Sequence, residues 1–392
     1  MIIGVPRESY PGERRVALVP AVIPNLVKAG FEIIFETGAG IEAGYPDTFF
    51  AEKGAKIVPD RAAVFAQADI VVQVLCYGSN DITGEADLPL MRPNQVLIGF
   101  LRPLGSADVI QQIAHTGITS FAVELMPRTT RAQSMDALSS MGTICGYKAV
   151  LISAETLPRM FPMLTTAAGT ITPARILVIG AGVAGLQAIA TARRLGAVVS
   201  AYDLRPASKE QVQSLGGRFV ELPIEAKNAQ DARGYGTAQD ESFYAKQREL
   251  LGKVIAESDV VITTAVVPGK KAPILVTGDM VKGMAPGSVI LDLAAERGGN
   301  CELTQEGKTV VQHGVTIIGR INVATEVPYH ASQMYARNIT AFLLNLVKDG
   351  KLRAGSEDEI IRETLLTQNG EIVNARVREF LKLPELVAQG AK

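Results

Sequence analysis

Tryptophan is absent from the 392-residue chain, and cysteine and histidine occur only three times each. Cys76, Cys145 and Cys301 stand far apart and form no C-x-x-C pair, which argues against a disulfide framework and against a zinc site. So few histidines argue equally against a multi-histidine metal centre. A surplus of charge is missing as well: 39 Lys and Arg face 40 Asp and Glu, for a net charge of -1. Nucleic-acid binding draws on excess basic residues that displace counterions, and this chain has none to spare. No apolar run approaches the roughly 18 residues that span a bilayer. The opening MIIGVPRESYPGERR has neither the basic start nor the apolar middle of a secretory signal. These absences imply a soluble, cytoplasmic protein of a reducing compartment.

Apolar residues make up 47% and charged residues 20%, an ordinary globular mixture. At roughly 150 residues per domain the length suggests two or three domains. Short β-rich runs alternate with helical patterns. Strands are expected at Ile2–Val5, Glu32–Glu36, Ile70–Leu75, Gln95–Phe100 and Thr119–Val123, with helices such as Ala21–Ala29 and Ala107–His115 between them. A second series follows: strands at Arg175–Ile179, Val198–Tyr202, Arg218–Glu221, Val260–Thr264, Ser288–Asp292 and Thr316–Gly319, with helices at Val183–Leu195 and Ser208–Leu215. Strand–helix alternation points to parallel sheets covered by helices. Two long helical patterns, about Ser139–Met160 and Ser332–Val347, flank the second series and read as struts. The expected fold class is therefore α/β, with two doubly wound Rossmann-like domains joined by two long helices. The first domain (residues 1–138 and 330–392) is discontinuous around a nucleotide-binding domain (139–329). Ligands of such proteins commonly sit in the cleft between domains. Near the end, Glu363–Val373 reads as a hairpin turning at Gln368-Asn369-Gly370. Ala226–Asp240, polar and rich in small residues, breaks the rhythm and reads on its own as a surface insertion.

The stretch ARILVIGAGVAGLQAIATARRLGAVVSAYD carries the clearest chemistry. A strand runs into Gly180-x-Gly182-x-x-Gly185, which opens a helix. The first glycine permits the tight turn, the second lets a pyrophosphate approach the backbone, and the third lets helix and strand pack closely. Phosphates then meet free N–H groups at the positive end of the helix. Asp203 ends the next strand, where a carboxylate accepts bonds from the adenosine ribose hydroxyls and repels a 2′-phosphate. The pattern predicts NAD(H) rather than NADP(H), with Arg205 as a tempering cation two residues on.

A second polar stretch, Pro127 to Ser140, lies between a strand and the first strut and holds Arg128, Arg131, Gln133, Ser134, Asp136 and Ser139. Gln133 and Asp136 offer the donor and acceptor that a nicotinamide carboxamide needs, and Arg128 can pair with Asp136. The alternative is plainer: Ser134 or Asp136 caps the following helix and the loop is solvated.

Taken together, RAQSMDALSS (131–140), MLTTAAGTITPARILVIGAGVAGLQAIATARRLGA (163–197) and DLAAERGGNC (292–301) resemble the soluble NAD(H)-binding component of proton-translocating nicotinamide nucleotide transhydrogenases. The likeness runs from Pro6-Arg7-Glu8 and Arg15-Val16-Ala17 to about Asn338. It implies a fold like that of alanine dehydrogenase, a homodimer, and hydride transfer from NADH here to NADP+ on a partner subunit. A further partner carries the transmembrane, proton-conducting part, so the protein would sit peripherally on the inner face of the membrane. Some relatives are fused to transmembrane helices; a chain ending at Lys392 fits the split-subunit arrangement. By the same resemblance Arg128, Gln133, Asp136 and Ser139 serve the nicotinamide side and the transfer itself. Gly180, Gly182, Val183, Ala184 and Gly185 form the pyrophosphate turn, and Asp203, Leu204 and Arg205 the adenosine side. Gly234 and Tyr235 fall in a loop that closes over the nucleotide. Ala265 and Val266 complete the expected cofactor contacts.

The alternative is a free-standing alanine-type dehydrogenase. Amine oxidation requires a proton acceptor beside the reacting carbon and cationic anchors for the carboxylate. Where that relative places its anchoring lysine, the strand Ile70–Leu75 has Gln73, and where it places its histidine this chain reads Phe100-Leu101-Arg102-Pro103. Arg15 alone remains. His115, His313 and His330 read as structural.

Overall fold

The computed structural model describes residues 1–105, 107–223, 239–355 and 357–384. The chain divides into two compact units, residues 1–141 with 325–392, and residues 142–324.

In the first unit, β1 (Ile2–Val5), β2 (Glu32–Glu36), β3 (Lys56–Val58), β4 (Ile70–Leu75), β5 (Val96–Phe100) and β6 (Thr119–Ala122) run parallel. Their sequences are almost continuously apolar because both faces are covered; Ile70, Val71, Val72 and Val74 of β4 are wholly buried. The connecting helices include Arg61–Gln67, whose first turn is capped by Asp60 accepting from the Ala63 N–H at 2.8 Å, and Ala107–His115.

The helix Ala137–Thr156 carries the chain across the unit boundary. A small exposed hairpin follows, β7 (Leu164–Thr166) with β8 (Gly169–Ile171). The second sheet comprises β9 (Arg175–Ile179), β10 (Val198–Tyr202), β11 (Arg218–Phe219), β12 (Val260–Thr263), β13 (Val289–Asp292), β14 (Thr309–Gln312) and β15 (Val315–Ile318), in the order β11-β10-β9-β12-β13-β15-β14. Only β14 is antiparallel, joined to β15 through His313-Gly314. Alternate residues of β9 enter different clusters. Ile176 and Val178 pack with Ala188, Ile189 and Ala192 of the helix Val183–Arg194. Leu177 and Ile179 pack with Leu251 and Ile255 of the helix Glu241–Ala256. Helices thus cover both faces, and the strand order reverses between β9 and β12, the switch point where such sheets bind ligands.

The chain re-enters the first unit at Thr325, so the second long helix, Pro328–Leu346, belongs wholly to that unit. After β16 (Val347–Lys348) and β17 (Lys351–Leu352), the expected hairpin forms from β18 (Leu365–Gln368) and β19 (Glu371–Ile372). Asn369 and Gly370 have φ of 53° and 85°, the paired left-handed conformations of a type I′ turn. β18 pairs antiparallel with β6, giving the order β19-β18-β6-β5-β4-β1-β2-β3. Among the described residues no helix is long and apolar enough to cross a membrane.

Candidate functional site

In the second unit, β9 ends in the Gly180–Gly185 turn. Gly180 has φ of 99°, which a side chain rarely tolerates, and a β-carbon there would lie 2.5 Å from Thr264 Oγ1. A β-carbon on Gly185 would collide with the Gly180 carbonyl. Gly182 differs: the nearest atom to a β-carbon there is Arg205 Nη2, 4.0 Å away, so its surroundings are open. It is also the N-cap of the helix Val183–Arg194, and no side chain caps that helix. A helix start with uncapped N–H groups beside open space is the cradle that a pyrophosphate requires, so these residues fit a dinucleotide. Val183 and Ala184 form the first helical turn.

Asp203 follows β10, and its side chain is only 7% exposed. Oδ2 accepts from the Ala181 N–H at 2.7 Å and from Arg205 Nη2 at 2.9 Å; Oδ1 accepts from Arg205 N and Nε at 2.8 and 2.9 Å. Arg205 is thus neutralised by the acid it was expected to temper, and Leu204 is the half-buried residue between them.

Beyond β12, the Thr264 hydroxyl donates to the Gly180 carbonyl at 3.0 Å, tying the Thr264–Val266 segment to the turn. Ala265 is half-buried and Val266 exposed. Behind them lies a buried polar pair that the sequence reading passed over. Asn300 bonds both backbone groups of Ala265, and Asp292 accepts from the Asn300 N–H at 2.7 Å. The stretch DLAAERGGNC contains both residues, but nothing in their spacing reveals that they meet Ala265.

In the first unit, Arg128 and Gln133 are exposed, and the side-chain amide of Gln133 has no partner among the described residues. Asp136 accepts from the Ser139 N–H at 2.8 Å and from the Ser139 hydroxyl at 2.5 Å. It therefore caps the helix Ala137–Thr156, and Arg128 is not among its partners. The helix-start donor lies three residues away, within reach of a short carboxylate, and claims it first. The loop is held from behind: Arg131 forks Asp358 at 2.7 and 2.8 Å, and Asn338 Nδ2 donates to the Ser134 carbonyl at 2.9 Å. The Arg131 guanidinium lowers the Asp358 carboxyl to a pKa of about 2. Gly234 and Tyr235 lie outside the described residues.

The N-terminal domain model of alanine dehydrogenase/PNT matches residues 4–145, and the C-terminal domain model matches residues 149–375. The chain belongs to the alanine dehydrogenase/PNT family. It is 47% identical to the first of the split chains of the NAD(P) transhydrogenase alpha subunit of Rhodospirillum rubrum, across the full length of both proteins. A transhydrogenase structure from Sinorhizobium meliloti superposes with a TM-score of 0.82 at 41% identity, covering 96% of this chain and all of the other. The alanine dehydrogenase of Bacillus subtilis shares 29% identity over all of this chain and 97% of its own.

Within this family the dehydrogenase equipment can be checked directly. Arg15 is buried and clasped by Glu13, with Nε–Oε1 at 2.7 Å and Nη2–Oε2 at 2.5 Å. Glu13 Oε1 also accepts from the N–H groups of Arg14 and Arg15 and from the Thr325 hydroxyl. The amide of Gln73 donates to Asp87 at 3.2 Å, and Asp87 is itself gripped by Arg61. Glu8 accepts from the N–H groups of Val74 and Leu75 at the end of β4; burial and then the like charge of Glu13 raise its pKa to about 7. With Arg7, Tyr10, Arg14 and Glu42, residues Glu8, Glu13 and Arg15 line a cavity of about 380 Å³. None of the three histidines lines it. His115 ends the helix Ala107–His115, His313 occupies the β14–β15 turn, and His330 is exposed on the helix Pro328–Leu346.

Proposed function

We propose that this protein is the NAD(H)-binding subunit of a proton-translocating NAD(P) transhydrogenase. It passes hydride from NADH to NADP+ held on a partner subunit, coupled to proton movement through a transmembrane partner. It works as a homodimer, peripheral on the inner face of the membrane through those partners. One observation carries the reading: an uncapped helix start and an open Gly182 in a chain that matches a split transhydrogenase alpha chain from end to end.

When bound, the dihydronicotinamide supplies the hydride. The chain's own residues hold and orient it. Gly180, Gly182 and Gly185 with the N–H groups of Val183 and Ala184 receive the pyrophosphate, and Asp203, Leu204 and Arg205 border the adenosine. Because Asp203 cancels Arg205, a 2′-phosphate finds no spare cation there, which supports NAD(H) over NADP(H). Arg128, Gln133, Asp136 and Ser139 serve the nicotinamide end, with Gln133 offering a carboxamide partner and the Asp136–Ser139 cap fixing the loop. Tyr235 and Gly234 belong to the closing loop. Direct transfer between two nicotinamide rings moves no proton on or off a heteroatom. The task is alignment at near-attack distance with water kept out, and no general base is required.

The test mixes the full chain with NADH, an NADP+ analogue and the separate NADP(H)-binding component. Reduction of the analogue only when all are present is expected. Oxidation of alanine with NAD+ by this chain alone overturns the reading. Gln133→Asn is expected to slow transfer more than it weakens NADH binding. Lost affinity with an intact transfer rate would remove Gln133 from its assigned role.

A further inference from the structure

Asn300 is fully buried, and its amide makes an unusual set of bonds. Oδ1 accepts from the Ala265 N–H at 3.0 Å, while Nδ2 donates to the Ala265 carbonyl at 2.8 Å and to the Pro273 carbonyl at 2.9 Å. One side chain thus satisfies both backbone groups of a single residue, as a neighbouring strand would. Its own backbone carbonyl accepts from the N–H groups of Leu275 and Val276. Asn300 is in turn locked by Asp292, also fully buried. Asp292 Oδ1 accepts from the Thr263 hydroxyl and the Ala294 N–H at 2.8 and 2.9 Å. Oδ2 accepts from the N–H groups of Asn300 and Cys301 at 2.7 and 3.0 Å and from the Thr304 hydroxyl at 2.7 Å. Gly299, with φ of 77°, packs so close to this carboxylate that a β-carbon would lie 2.7 Å from Oδ2.

Such a network is costly to bury unless every member is satisfied, and it secures a segment with a distinct place in the sheet. Asp203 follows β10, in the half of the fold that takes the adenosine. Ala265 follows β12, the first strand across the switch point, in the half that takes the other nucleoside. Val266 stands exposed on the peptide that Asn300 holds.

We infer that Asn300, locked by Asp292, is a positioning residue that fixes the Ala265–Val266 peptide against the nicotinamide half of the dinucleotide. The inference rests on the proposed NAD(H) site, and the experiment separates the two. Binding of NADH and of ADP, which carries the adenosine and both phosphates but no nicotinamide, is measured by calorimetry on the full chain. Asn300→Asp keeps an acceptor for the Ala265 N–H and loses both donated bonds. Asn300→Ser removes the amide without adding charge, and serves where a buried carboxylate prevents folding. The expected result is NADH affinity lower by about tenfold, the scale of about 1.4 kcal/mol, with ADP affinity as in the parent chain. A parallel fall for both ligands, or no change for either in a folded variant, overturns the inference. A parent chain that binds neither ligand overturns the nucleotide site and the inference with it.

Discussion

At the carboxyl ends of the first sheet, charge meets charge: Glu13 clasps Arg15, Asp87 is held by Arg61, and Glu8 is buried against two backbone N–H groups. At the same ends of the second sheet, the turn after β9 offers uncapped backbone donors and a glycine facing open space. The first arrangement has already spent its polar groups on one another, whereas the second keeps them for a ligand. A buried arginine is thus a poor guide to a binding site until its partner is known, and a glycine turn becomes a strong one when its helix lacks a cap.

The largest effect expected from breaking this contrast lies in the first unit. Glu13→Ala leaves Arg15 buried without its carboxylate and should cost about 3–5 kcal/mol in denaturant unfolding, with NADH affinity of the folded protein unchanged. Concomitant loss of NADH binding would show that the pair serves the ligand after all. Next come two glycine variants that should behave oppositely. Gly185→Ala drives a methyl group into the Gly180 carbonyl and should destabilise the fold by about 1–3 kcal/mol. Gly182→Ala points into open space and should leave stability within about 0.5 kcal/mol, yet weaken NADH binding. Unaffected binding in Gly182→Ala would mean that the open space is not the ligand's.

A pH titration sharpens the comparison further. Glu8 has a folded pKa of about 7 against an ordinary value of 4.5, so between these values the folded state holds the proton more tightly. Stability from this group is therefore greatest at low pH and declines as pH rises from about 4.5 to about 7. Glu8→Gln should flatten that slope in unfolding measured at several pH values; an unchanged slope assigns it to other groups. The smallest effect is expected at Asp203→Asn, which frees Arg205 and should shift relative affinity toward NADP(H) by about tenfold at most, the worth of about 1.4 kcal/mol. Unaltered selectivity would remove Asp203 as the discriminator.

The features legible in the sequence were those with local causes. β1, β2, β4, β9 and β10 lie where their apolar runs begin and end, and Asn369-Gly370 makes its turn because only such residues accept two successive positive φ values. Hidden elements had weak local signals. The β7–β8 hairpin is exposed throughout and shows no burial rhythm, and β3 and β14 are short edge strands. The helix Ala137–Thr156 starts two residues before the strut pattern because Asp136 caps it. The Asp292–Asn300–Ala265 network could not be read, since its bonds run largely to backbone atoms up to 35 residues away.

The pairing of β18 with β6 has a consequence for how the molecule is made. The Ser120 and Thr367 hydroxyls that meet across it at 2.7 Å are separated by 247 positions. A ribosome that has just released residue 324 has delivered everything the second unit contains, while the first sheet still lacks β18 and β19. The earliest-translated strands must therefore remain without their last neighbours through most of synthesis, and the sheet closes only when those two strands emerge.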